Sequence, residues 1–182
     1  MRYVALLRGV NVGGGNSVPM AVLRERFTDM GHSDVRTYVN SGNVIFDAPR
    51  AKAENLARDI EGMLATEFGV DSRVLVLPGS KIVTIAEALP ADWVKDAQWS
   101  CDVVYLFPER DSRKTLSMFN PSSEYEEVRY SAGAILTHVH RSRLSRSALY
   151  KLIGTDFSAS ITIRNCNTAR KLAAMVNENS SS

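Results

Sequence analysis

Two stretches of the chain follow one pattern. "VRTYVNSGNVIF" (residues 35–46) and "EEVRYSAGAILTHV" (residues 126–139) both begin their turn-ward run with Val-Arg. Both turn on a small residue followed by glycine, and both place a β-branched residue two positions after it, Val44 or Ile135. β-Branched and aromatic residues on either side of a glycine turn form an antiparallel strand pair. A chain that builds such a hairpin twice, in similar surroundings, is constrained towards an internal repeat.

The surroundings are similar. Residues 2–8, "RYVALLR", read as a mostly buried strand. Pro19 then stands at the start of a helix that carries Met20, Leu23, Phe27 and Met30 at helical spacing and stops at Gly31. After the first hairpin comes a helix with Leu56, Ile60, Met63, Leu64 and Phe68 on one face. "RVLVL" (residues 73–77) is the next strand. The order β-α-β-β-α-β is the ferredoxin-like unit. The second half repeats it: a strand at 101–107, a short helix at 112–119, the hairpin, a helix at 145–153 and a strand at 160–164. A last helix carries Ala169, Leu172, Ala173 and Val176. The expected fold class is α+β, with two tandem ferredoxin-like (βαββαβ) halves, antiparallel sheets and a C-terminal helix. The expected boundaries are residues 1–78 for the first half, 79–100 for a linking helix and loop, and 101–182 for the second half with its final helix.

Composition narrows the function classes. The formal net charge of the 182 residues is +2. The pI of about 8.6 lies below the range of a dedicated nucleic-acid binder and leaves room only for a local basic patch. The two cysteines, Cys101 and Cys166, form no CxxC pattern, which argues against a disulfide framework or zinc knuckle. Arg2 and Arg8 bracket an apolar run too short for a signal-peptide core, and no run approaches a membrane span. The expectation is a cytoplasmic protein with no membrane partner and no cofactor.

The junction "RGVNVGGGNS" (residues 8–17) is the first candidate site. Glycines let backbone N–H groups approach a ligand closely. A helix N-terminus adds roughly half a positive charge. Arginine forks onto a carboxylate or phosphate. In the ferredoxin-like topology the first strand-to-helix connection and the hairpin tip "NSGN" (residues 40–43) fall on one edge of the sheet. Arg8, Asn11, Gly13, Gly14, Asn16, Asn40, Ser41 and Asn43 would then share a rim fit for an anion. The loop has neither the P-loop nor the dinucleotide-turn spacing. Asn-Ser-Gly-Asn is equally the composition of a plain tight turn.

"TIRNCNTARKL" (residues 162–172) is the second candidate, with Arg164, Asn165, Asn167 and Thr168. Its Asn and Thr residues also read as helix caps. One shared site would bring this segment to the same rim. His138 and His140 lack a third metal ligand nearby in sequence, and "HRSRLSR" (residues 140–146) is basic and also reads as a solvated face ahead of a helix.

The blocks "LLRGVNVGG", "VPM", "RTYVNSGNVIF" and "IRNCNT" followed by "KL" closely resemble the signatures of the domain of unknown function 1697 family, in the family's order and over nearly the whole chain. The resemblance implies a small α+β protein with two similar halves, of a mostly bacterial family, and no established activity. Cys166 departs from the family pattern, which commonly has an aromatic residue between the two asparagines.

Two functions fit these residues. The first is binding of an anionic ligand: a nucleotide, a phosphorylated metabolite or a nucleic-acid backbone. The alternative is an acylphosphatase-like phosphoryl or acyl hydrolase using Arg8 with Asn40 or Asn43, by analogy of fold alone.

Overall fold

In the computed structural model, which describes residues 1–11 and 17–178, the N-terminal apolar run is a central strand. Strand β1 (Arg2–Leu7) pairs antiparallel with β3 (Asn43–Asp47) on one side and β4 (Val74–Pro78) on the other. The edge strand β2 (Ser33–Thr37) completes the order β2-β3-β1-β4. Side chains alternate between faces along a strand. Tyr3, Ala5 and Leu7 therefore point one way, into a core with Leu23 and Phe27 of α1 (Met20–Asp29) and Leu56, Ile60 and Leu64 of α2 (Ala53–Phe68). Phe27 meets Phe46 edge-on, with ring centroids 5.2 Å apart. Val4, Leu6 and Ile45 point to the other face and are also fully buried. Burial on both faces is why β1 reads as an unbroken apolar run.

The second sheet has the same order. Helix α3 (Gly79–Glu87) leads to β5 (Trp99–Leu106). β5 lies between β7 (Ala134–His140) and β8 (Ile161–Asn165), with β6 (Glu126–Ser131) at the edge. Both sheets are antiparallel, each with the first strand of its unit in the middle, as two tandem ferredoxin-like halves require.

The helices of the second unit are shorter than the sequence periodicity suggests. Its first crossover is made of 3-10 turns, Pro108–Arg110 and Arg113–Met118. The helix expected over 145–153 is split at Ser147. A 3-10 turn, Arg141–Arg146, precedes it, and α4 is only Ala148–Leu152. Ser147 has extended backbone and its Oγ accepts from the Tyr150 N–H, so it caps a new helix and does not continue the old turn. The final helix α5 (Cys166–Asn177) follows β8 directly.

The chain divides into two units, Met1–Ile82 with the residues from Ala174 onward, and Val83–Ala173. The end of α5 thus belongs to the first unit, and an arginine pair holds it there. Arg2 donates to the carbonyls of Val176 (3.1 Å) and Glu178 (2.7 Å) and pairs with Asp34 (2.6 Å) and Asp47 (2.9 Å). Arg36 donates to the Met175 carbonyl (2.9 Å) and pairs with Asp34 and Glu178. Last-turn carbonyls lack helical partners, and cations there also complement the helix dipole.

Candidate functional site

β1 ends at a junction bonded on both sides. The Leu7 N–H donates to the Gly42 carbonyl (2.8 Å), and the Arg8 N–H donates to the Arg73 carbonyl (3.1 Å). Ser72 Oγ donates to the Arg8 carbonyl. The start of the glycine loop, the hairpin tip and the start of β4 therefore share one edge of the first sheet. Ser72 and Arg73 were not singled out in the sequence, because a short segment before a strand carries no motif. Gly42 has φ of +71°, and a Cβ there would lie 2.5 Å from Val10 Cγ2 and 2.7 Å from Leu7 Cβ. Only glycine lets the tip close onto the loop.

Asn11 fastens the loop. Its Nδ2 donates to the carbonyls of Val18 (2.9 Å) and Asn40 (2.8 Å), and its Oδ1 accepts from the Val18 N–H (2.8 Å). The side chain thus imitates a strand pairing with Val18 and ties both ends of the loop to the hairpin. Its own φ of +54° is a conformation asparagine tolerates better than most residues. Gly13, Gly14 and Asn16 lie outside the described residues.

Asn43 is fully buried, and its Nδ2 donates to the Tyr38 carbonyl (2.9 Å) and to Ser41 Oγ (3.1 Å). The Tyr38 N–H donates to the Asn43 carbonyl (3.0 Å). The hairpin loop is therefore residues 38–42, wider than a two-residue Ser-Gly turn.

Among the described residues, the side chains of Arg8 and Asn40 at this edge remain uncommitted. Arg8 is half-buried, and its guanidinium has no hydrogen bond or ion pair among the described residues. Asn40 is exposed, with its carboxamide equally free there. Helix α1 starts after Pro19 with no side-chain cap, and its first internal bond is from the Leu23 N–H to the Pro19 carbonyl. The N–H groups of Met20, Ala21 and Val22 thus have no acceptor within the helix.

The Arg-Asn segment of the second unit is bonded locally. Arg164 lies in β8 and is 8% exposed. Its Nη1 donates to Thr162 Oγ1 (3.0 Å) and to the Ile163 carbonyl (2.8 Å), and burial lowers its pKa to about 10. Asn165 Oδ1 accepts from the Thr168 N–H (2.9 Å), which caps α5. Thr168 is buried, and Asn167 is exposed, with its Oδ1 accepting from the Cys166 thiol.

The fold also brings together groups far apart in sequence. Asp102 pairs with Asn165 across β5 and β8, so Cys101 and Cys166 are neighbours. The hydrogen bond between the two thiols pushes Cys101 up and holds Cys166 down at about 7. Both are fully buried. His138 stands opposite Cys101 on β7, yet its ring is stacked between the indoles of Trp93 (5.1 Å) and Trp99 (4.4 Å). Burial in that stack lowers its pKa.

A family model described as "Protein of unknown function (DUF1697)" matches residues 1–136. The fold matches the solved structure of a conserved bacterial protein from Streptococcus pneumoniae, with a TM-score of 0.80 and 30% sequence identity over 97% of this chain and 98% of that one. None of the curated proteins compared matches the sequence. Among the described residues no helix is long and apolar enough to cross a membrane.

Proposed function

The chain belongs to the DUF1697 family of proteins of unknown function, and from that premise we propose that the rim built on Arg8 binds a small anionic ligand, a nucleotide or a phosphorylated metabolite. The observation that carries this reading is Arg8 itself: a half-buried guanidinium with no counter-charge among the described residues. A partly desolvated cation without a partner costs the fold stability, and an anion in the rim relieves that cost. The other polar groups support it. Asn11, Gly42 and Asn43 fix the backbone of loop and hairpin tip. Asn40 and the first N–H groups of α1 supply neutral donors. Gly13, Gly14 and Asn16 enter the proposal from the sequence alone. Arg164 and Asn165 are bonded within the β8–α5 junction and are assigned no ligand.

The hydrolase reading needs an asparagine free to orient water. The Asn43 amide donates to Tyr38 and Ser41 and is fully buried, which leaves only Asn40 for that role. Binding is therefore the better reading.

Thermal shift with inorganic phosphate, AMP and ATP tests it. A ligand at 100 times its dissociation constant adds about 2.7 kcal/mol of stability. Stabilisation of the native protein that is lost in Arg8→Ala supports the reading. Stabilisation that survives Arg8→Ala removes it. Arg8-dependent turnover of acetyl phosphate in the same samples replaces the binder with the hydrolase.

A further inference from the structure

Residues 128–155 contain Arg129, Arg141, Arg143, Arg146 and Lys151 and no Asp or Glu, although the whole chain carries 20 acidic residues. Three of these cations fall in one short turn of the second unit. The 3-10 turn Arg141–Arg146 holds Arg141, Arg143 and Arg146, all exposed, and leads through Ser147 into α4. Residues at i and i+3 eclipse on a 3-10 helix, about 6 Å apart along the axis. Arg143 and Arg146 are so related, two like charges in register.

Neither has an ion pair among the described residues. Other arginines do pair with carboxylates: Arg2, Arg26 and Arg36 in the first unit, and Arg129 on β6. The carboxylate that meets this segment, Glu126, faces inward, with both oxygens accepting from the Ala148 N–H at 3.0 Å. Asp96, which acts electrostatically on Arg141, accepts from the N–H groups of Gln98 and Trp99. Like charges one turn apart destabilise a helix slightly.

Aromatic groups border the cations. The Arg143 guanidinium lies 5.9 Å from the Tyr125 ring centroid. Tyr150 is 56% exposed on α4, four residues after Arg146. Half-buried Leu144 and the fully capped α4 hold this surface on ordered backbone.

We propose that the Arg141–Arg146 turn with α4 is a docking surface for a single-stranded nucleic acid, with Arg143 and Arg146 on successive phosphates and Tyr150 stacked on a base. Unpaired cations beside an exposed ring, that of Tyr150, are what a single strand requires: its backbone meets the charges and a base has a face to stack on. The site lies wholly within the second unit and does not rest on the rim of Arg8.

The test is fluorescence anisotropy with labelled RNA and DNA single strands of about 16 nucleotides, enough to fill one single-strand site. The wild-type protein binds with an affinity that falls with salt, at a log–log slope of about −1.4 for the two phosphate contacts. R143E/R146E weakens binding more than about tenfold and flattens the slope. Y150A weakens it about fivefold or more. R50E/K52E makes the same change in net charge on the first unit and leaves the affinity unaltered. All these side chains are exposed, so each variant is checked for an unchanged melting temperature. Three results overturn the proposal: no binding by the wild type, equal loss in R50E/K52E and R143E/R146E, or tighter binding to phosphatidylserine vesicles than to either strand.

Discussion

The Asn11 carboxamide donates to the Asn40 carbonyl at 2.8 Å, and through that bond the loop after β1 is fastened to the tip of the β2–β3 hairpin. The Asn11 carboxamide is thereby bonded as a clamp between loop and hairpin, three residues after Arg8.

Replacing Asn11 with alanine removes three hydrogen bonds and leaves a β-carbon at positive φ. With a net value of about 0.5–1.5 kcal/mol per bond, the expected loss is about 2–3 kcal/mol by urea denaturation. Asn11→Asp keeps the bond from the Val18 N–H and falls between alanine and wild type. A loss below about 0.5 kcal/mol in Asn11→Ala, the level of an ordinary surface substitution, contradicts the clamp.

Gly42 and Gly9 both have positive φ, yet only Gly42 is walled in. Gly42→Ala drives a methyl into Val10 and Leu7, adding an overpacking cost of about 1–3 kcal/mol to the backbone strain. Gly9→Ala meets no atom within 4 Å and carries the strain alone. Calorimetric melting of the two variants should show the larger loss at Gly42. Equal losses would mean that tip and loop do not touch.

Arg2 holds the end of α5 through two carbonyls and two carboxylates. Arg2→Met keeps the aliphatic stem and removes those bonds. Amide hydrogen exchange should speed up in the last turn of α5, with much less change in α2. Unchanged exchange there would assign the helix end to packing alone.

Burial lowers the pKa of both His138 and His32, chiefly by desolvation. The unfolded chain takes up these protons near pH 6.5, while the native protein resists them, so the unfolded state binds more protons in that window. The contribution of these histidines to stability should therefore fall as the pH drops through 6.5 and below, and level off above it. His138→Phe retains the ring stack between Trp93 and Trp99 and should flatten part of this slope. Imidazole resonances titrating at or above pH 6.5 in the folded protein would contradict the sign.

What the sequence made legible was set by local periodicity. The run Arg2 to Arg8 announced a mostly buried strand, and the paired hairpins announced two sheets of one topology. Topology alone also placed Gly42 beside the end of β1. The direction of a polar side chain is not periodic information. Asn43 has the same composition signal whether its amide faces solvent or, as here, the Tyr38 carbonyl. Long-range partners were invisible for the same reason: Arg2 meets Glu178, and His138 meets Trp93, only through the fold. The short helices of the second unit escaped because Ser147 can continue a helix or cap one, and only its extended backbone decides.

The most direct test of the Arg8 rim is an amide ¹H–¹⁵N NMR titration with inorganic phosphate. The account predicts saturable shifts at Arg8, Asn40 and the first N–H groups of α1, and their disappearance in Arg8→Ala with the rest of the spectrum unchanged. Shifts that persist in Arg8→Ala, or a spectrum that phosphate, AMP and ATP all leave unmoved at these residues, would contradict it.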